Sequence, residues 1–177
     1  MTEKQEKIIT AALDLFAKEG FRNTPTSKIA KQAGVSEGLI FRHFTNKDGL
    51  LEAIVNEGGE RFKMLYADIV LENDAKKIIL KTIHMAKSIT ANKEDMSFWK
   101  LQYKLKWELD IYDAKKIEPL ERSLSMAFEE LKFRDPKMEA KLLLTLLDGL
   151  ATRLFLDADF DLEEAIDYLA KKYNLIK

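Results

Sequence analysis

The chain of 177 residues has no cysteine, only three prolines, seven glycines and two histidines. The missing thiols exclude a disulfide scaffold, a thiolate metal site and a cysteine nucleophile. His43 and His84 are far apart in sequence, so a histidine metal centre is not indicated and no metal ligand is assigned. So few glycines and prolines leave few obligate breaks, which favours long helices. No long uninterrupted hydrophobic run is present either. The most apolar region, residues 142–156, is broken by Asp148 and Arg153, which argues against a membrane span. The opening Met-Thr-Glu-Lys-Gln-Glu-Lys is polar and of mixed charge, unlike a secretory signal, so a cytoplasmic location is expected. There is no glycine-rich phosphate loop and no close histidine pair. Scattered carboxylates are what a solvated helical surface provides, so no catalytic residue, no cofactor and no enzymatic activity are expected.

Hydrophobic residues make up 46% and charged residues 33%, values that place the chain among globular proteins rather than disordered ones. The net charge of −1 hides a mild polarity: residues 1–50 carry eight basic and six acidic side chains, so the remainder is acidic. That permits a nucleic-acid-facing N-terminal end without demanding one.

Ile8, Ile9, Ala12, Leu13, Phe16 and Ala17 recur at helical spacing, and Gly20 reads as a left-handed stop. Thr24-Pro25-Thr26 reads as a hydroxyl cap with proline near the first helical position. A second helix then runs to about Ala33. Ser36 is the expected cap of a third helix and Asn46 of a fourth, which carries Leu50, Leu51, Ile54 and Val55 through Gly58-Gly59 to Phe62, Leu65, Tyr66 and Ile69. Beyond residue 70, long amphipathic stretches alternate with polar joints at 72–74, 92–95, 134–136 and 157–159. No strand-like alternation or repeat appears. An all-α fold of about nine helices is expected, with a small N-terminal head over residues 1–47 and a larger helical bundle over 48–177.

Residues 29–44 read as helix, tight turn at Gly34, helix. Ala30 is small enough for the two helices to approach, and Gly34 supplies a positive φ that a Cβ resists. Ile29, Ala33, Val35, Ile40 and Phe44 are the expected small core. With Ile40 and Phe44 inward, the opposite face of the third helix shows Gly38, Leu39, Phe41 and Arg42. This is the sequence form of a helix-turn-helix, which sets its second helix into the DNA major groove.

The spacing of Ile8-Ile9, Ala11-Ala12, Leu15-Phe16, Gly20-Phe21, Thr24, Ile29-Ala30, Ala33-Gly34-Val35-Ser36, Gly38, His43-Phe44, Lys47 and Leu50 closely resembles the TetR/AcrR family of transcriptional regulators. The resemblance covers about the first third of the chain. It implies a three-helix DNA-binding head on an all-α ligand-binding and dimerisation domain, in a repressor released from a palindromic operator by a small molecule. Carried over by position, the family's DNA contacts fall on Thr26, Ser27, Glu37, Gly38, Leu39, Phe41, His43 and Lys47. The geometry of the residues adds Arg42 and, as a phosphate contact, Lys28. Position 41 departs from the family, which most often has Tyr there. A hydroxyl donor is lost, and apolar contact with sugar or a thymine methyl is expected instead.

Two segments of the larger domain are open to two readings each. Leu144, Leu147, Gly149, Ala151 and Phe155 lie in a helical segment apolar on more faces than one contact needs, and Ile166 in the amphipathic segment that follows. They form either a buried central helix with a lid or, as the family resemblance also implies, a homodimer interface. Trp99, Tyr103 and Trp107, with Tyr112 beyond, form either plain core or one wall of a cavity completed by Met64, Met85 and Phe128, suited to a small apolar effector. Gly58-Gly59 is either a close-packing site or a soft point in the helix. The reading of another class is a helical small-molecule-binding or scaffold protein whose head has lost DNA binding.

Overall fold

The computed structural model describes residues 1–111 and 113–176. Among these, nine α-helices occur and no strand: α1 Glu3–Glu19, α2 Thr26–Ala33, α3 Glu37–Phe44, α4 Lys47–Val70, α5 Ala75–His84, α6 Lys93–Glu108, α7 Glu118–Glu130, α8 Pro136–Leu156 and α9 Leu162–Lys172. The all-α expectation and the helix number hold. By internal packing the chain divides into two compact units, Met1–Glu60 with Ser97–Ile111, and Arg61–Met96 with the chain after Ile111. The division therefore falls inside α4 and inside α6, whereas the sequence suggested a boundary at residue 47.

The first unit is built on an apolar centre of Ile8, Ala12, Phe16, Ile29, Ile40, Leu50 and Ile54, all essentially sealed from solvent. Of the expected helix-turn-helix core, Ile29, Ile40 and Phe44 are buried, and Ala33 and Val35 pack against them half-buried. Leu101 and Leu105 of α6 complete the same cluster, so a helix distant in sequence closes the head. Lys104 of α6 donates to the Phe16 and Ala17 carbonyls at 3.4 and 3.1 Å, satisfying the C-terminal end of α1 where a cation also meets the helix dipole. Gln102 donates to the Ile54 carbonyl at 3.0 Å. A Cβ on Gly58 would lie 2.4 Å from that same amide, so close packing accounts for Gly58.

The helix ends follow the expected residues more closely than the expected bonds. Gly34 is left-handed (φ 67, ψ 35), its N–H and that of Val35 returning to the last turn of α2. Gly20 has φ 83 but ψ 156, an extended positive-φ conformation open only to glycine rather than the left-handed stop expected. Thr24 does not cap α2. Its buried hydroxyl donates to the Gly20 carbonyl at 2.8 Å, and Pro25 takes the N-cap position. Ser36 holds the N-cap position of α3 without a side-chain bond. Asn46 caps α4 as expected, accepting from the Gly49 N–H at 2.8 Å.

Between α3 and α4 the chain turns within a single residue. Thr45 has φ 68 and ψ −50, and the Asn46 N–H bonds back to the Phe44 carbonyl at 2.7 Å, the arrangement of a strained γ-turn. The turn brings α4 so close that a Cβ on Gly49 would stand 2.0 Å from the Phe44 carbonyl oxygen.

The second unit packs Ile79, Ile83, Leu120, Leu124, Phe128, Ala140, Leu143 and Ile166 into one core, with Tyr66 at its edge bonding the Lys116 carbonyl at 2.7 Å. Phe128 meets Phe133 edge-on and Tyr173 at a tilt. The Tyr173 hydroxyl donates to Glu139. Burial first, and then that carboxylate, push its pKa up to about 12. The polar joints fall where expected: Asp74, Asp135 and Asp161 each accept an N–H from the first turn of the helix that follows. Glu72 is held at about 2 by Lys81 and by the N–H groups of Asn73 and Asp74. Among the described residues no helix is long and apolar enough to cross a membrane.

Gly49→Ala is expected to destabilise the protein by about 3 kcal/mol, at the top of the overpacking range, because the obstacle is a carbonyl that cannot rotate away. Gly38→Ala meets nothing within 4 Å. It should instead gain up to about 1 kcal/mol of helix propensity. Urea unfolding of the two variants checks the contrast, and equal midpoints would contradict it.

Candidate nucleic-acid interface

Gly38, Phe41 and Arg42 share the outward side of α3, because Ile40 and Phe44 are held in the core beneath it, and Glu37 stands half-buried in its first turn. Gly38 and Arg42 are exposed, and Phe41 keeps 44% of its surface in solvent. Leu39 and His43 are half-buried, the His43 ring standing edge-on to Phe44 at 6.2 Å. Thr26, Ser27 and Lys28 open α2, and Lys47 opens α4, where free N–H groups and the helix dipole favour an anion. All ten residues read from the sequence as nucleic-acid contacts thus belong to the first unit, exposed or half-buried and none sealed in its core.

Several of them are already engaged. The Thr26 hydroxyl donates to Glu37 Oε1 at 2.5 Å, linking the first residues of α2 and α3. Lys28 pairs with Glu19 at 2.5 Å. The Lys47 ammonium donates to the Arg22 carbonyl at 3.3 Å and stands 4.5 Å from the centre of the Phe21 ring. On the far side of α2, Gln32 donates to Asp14. Lys18, and after it Gln32, hold that carboxylate below its ordinary pKa. The four helix starts and ends around α3 are therefore braced by side chains before any ligand is present.

The residues expected to line a cavity are divided between the two units. Trp99, Tyr103 and Trp107 belong to the part of α6 in the first unit, and Met64, Met85 and Phe128 to the second. Phe98, Trp99, Leu101 and Leu105 form the buried face of α6, which turns Trp107 outward with 73% exposure. Met64 is 74% exposed, Phe128 is core, and Met85 packs half-buried against that core. Tyr112 lies outside the described residues. Of the expected dimer set, Leu147, Ala151, Phe155 and Ile166 are buried within the second unit, Leu144 is half-buried and Gly149 is exposed. The outward stripe of α8 is instead Leu142, Leu146, Gly149, Arg153 and Leu156, spaced at four and three residues. No group of three His, Asp or Glu side chains placed to hold a metal occurs among the described residues.

Sequence reasoning missed four residues that position this surface: Glu19, Gly49, Gln102 and Lys104. A glycine in the first turn of an expected helix was the available signal for Gly49. Nothing local marks Lys104, which acts 88 residues from Phe16.

Residues 8–54 match the family model described as bacterial regulatory proteins, tetR family. The chain is 33% identical over 95 residues, 53% of its own length and 49% of the relative's, to the fatty acid metabolism regulator protein of Bacillus subtilis. It is 46% identical over 57 residues to the HTH-type transcriptional regulator YvkB of the same organism, covering 32% of this chain and 30% of that one. The aligned region thus spans half or less of these curated relatives. Among solved structures, a TetR-family regulator from Rhodococcus sp. superposes with a TM-score of 0.66 over 99% of both chains at 22% identity. FadR from Bacillus subtilis in complex with stearoyl-CoA does so with a TM-score of 0.69 over 94% of this chain and 95% of that one, also at 22% identity. The chain thus matches the tetR family model over its helix-turn-helix and shares the fold of such regulators along nearly its whole length.

Proposed function

We propose that this chain is a TetR-family transcriptional repressor without catalytic activity, which binds a palindromic operator as a homodimer and leaves it when a small apolar effector binds. The observation that carries the reading is the outward face of α3. An eight-residue helix anchored by buried Ile40 and Phe44 presents Gly38, Phe41 and Arg42 to solvent, with Glu37 half-buried in its first turn and Lys28 and Lys47 at flanking helix starts. Short base-contacting residues between phosphate-contacting cations are what a major groove requires.

The exposed stripe of α8 supports pairing. Leu142 and Leu146 remain 48% and 43% exposed, Leu156 more so, and a Cβ at Gly149 would meet nothing, leaving room for a partner helix to approach. On α9, exposed Tyr168 extends the same apolar surface. From the sequence-derived set, Gly149 and half-buried Leu144 belong in this interface, while the buried members support it from beneath. A two-fold pair presents two copies of α3 and so calls for a two-fold operator.

The effector is assigned to the second unit. Apart from the hydroxyls of Tyr66 and Tyr173, Thr82 is the one polar side chain buried there among the described residues, and its hydroxyl is already bonded to the Ile78 carbonyl. Such an interior suits an apolar chain, with Met85 and Phe128 as the expected lining residues that lie in this core. The stearoyl-CoA held by the Bacillus subtilis FadR makes a long-chain acyl thioester the first compound to try.

Three outcomes are expected. In gel shifts with the chain's own upstream DNA, six phosphate contacts from Lys28, Arg42 and Lys47 of two protomers give a log–log salt slope of roughly −5, at about −0.9 per contact. Stearoyl-CoA should release the complex, and salt-insensitive binding contradicts the reading. Glu19→Gln frees Lys28 of each protomer from a surface ion pair of about 0.2–1 kcal/mol, so DNA affinity of the dimer should rise about 2- to 30-fold. Unchanged or lower affinity contradicts the competition. In sedimentation at micromolar concentration the protein should be a dimer and Leu146→Glu a folded monomer. A monomeric parent protein removes the α8 interface.

A further inference from the structure

The geometry points to Glu37 as a reader of cytosine, one base per operator half-site, held in its reading position by Thr26. This inference rests on the DNA-binding function proposed above. A carboxylate on a duplex-facing surface is repelled by phosphate and by every acceptor on the groove floor, so it weakens binding unless it meets a donor. An ionised carboxylate is an acceptor only. The major groove offers it two donors, the N4 amine of cytosine and the N6 amine of adenine. Adenine sets its N7 acceptor beside that amine, whereas cytosine shows the amine alone. A fixed carboxylate therefore favours cytosine over adenine and rejects guanine and thymine.

Glu37 meets these conditions in place and in posture. It is the first residue of α3, next to exposed Gly38 and one turn before exposed Phe41, in the first turn by which such a helix meets base edges. Its Oε1 is taken by the Thr26 hydroxyl at 2.5 Å, and no bond is seen to Oε2 among the described residues. The side chain is half-buried, so it is ordered before DNA arrives and loses little freedom on binding. Beside it, Gly38 carries no side chain, and the space a Cβ would fill is empty to 4 Å, so a base edge can come close to the start of the helix. Thr26 acts through Glu37 as a positioning residue.

Selection of the full-length protein on a randomised duplex library tests the assignment. The parent consensus should hold a cytosine at one symmetric position of each half-site, and replacing that base should weaken binding by about 5- to 150-fold, the range for one base contact. Glu37→Gln keeps the shape and the acceptor for Thr26 but adds an amide donor, so the preferred base at that position alone should change to adenine. Thr26→Ala should flatten the preference there while leaving the other positions intact. A purely structural Glu37 predicts weaker binding with an unaltered consensus. A consensus that lacks the symmetric cytosine, or that is the same for the parent and Glu37→Gln, overturns the assignment while the DNA-binding function stands. A parent protein that enriches no duplex overturns both.

Discussion

The corner between α3 and α4 fixes where the outward face of α3 is held. A γ-turn at Thr45 and the contact of Gly49 with the Phe44 carbonyl leave no slack between α3 and the helix that continues into the core. Strain of this kind persists only where the surroundings over-determine it. Here they do: Phe44 and Ile40 on one side of the corner and Leu50 and Ile54 on the other are sunk in the same apolar cluster. The Asn46 cap closes the turn from the solvent side. The surface of α3 is therefore a rigid template, and its chemistry can be reasoned about from single side chains.

That rigidity extends to the charges. Lys28 and Lys47 each have a partner within the protein that resembles something a duplex offers, an anionic oxygen for Lys28 and a carbonyl and a ring face for Lys47, while Glu37 is held by the Thr26 hydroxyl. Exchanging one such partner for another involves little net desolvation. A chain with a net charge of −1 has no broad positive field. In the proposed function, selectivity therefore rests on where a few groups are held more than on bulk attraction.

The same unit owes its closure to α6. Leu101 and Leu105 fill the cluster beneath α1 and α4, while Lys104 and Gln102 tie off the ends of backbone carbonyl rows. A segment whose aromatic residues allowed either plain core or a cavity wall supplies Leu101 and Leu105 to the core of the head. The amphipathic pattern of α6 was legible, but two adjacent stripes of large apolar residues do not say which one is inward. Packing against the small groove between α1 and α4 selected Leu101 and Leu105 and left Trp107 outside.

Helix number, the joints, the turn at Gly34 and the residues facing away from Ile40 and Phe44 were all determined by the sequence alone. Each depends on short-range chemistry: period, capping side chains and the φ angles open to glycine. The bonds made at those joints were less legible, as Thr24 and Ser36 illustrate, because a hydroxyl has several backbone partners within reach and the choice among them is made by neighbouring helices. Which α8 residues remain uncovered, how α6 divides between the two units, and the pairing of Thr26 with Glu37 or Lys28 with Glu19 were decided only by the tertiary structure. These contacts join residues from 9 to nearly 90 positions apart. At that separation the local pattern is silent, and the fit of one helix surface against another determines which side chains meet.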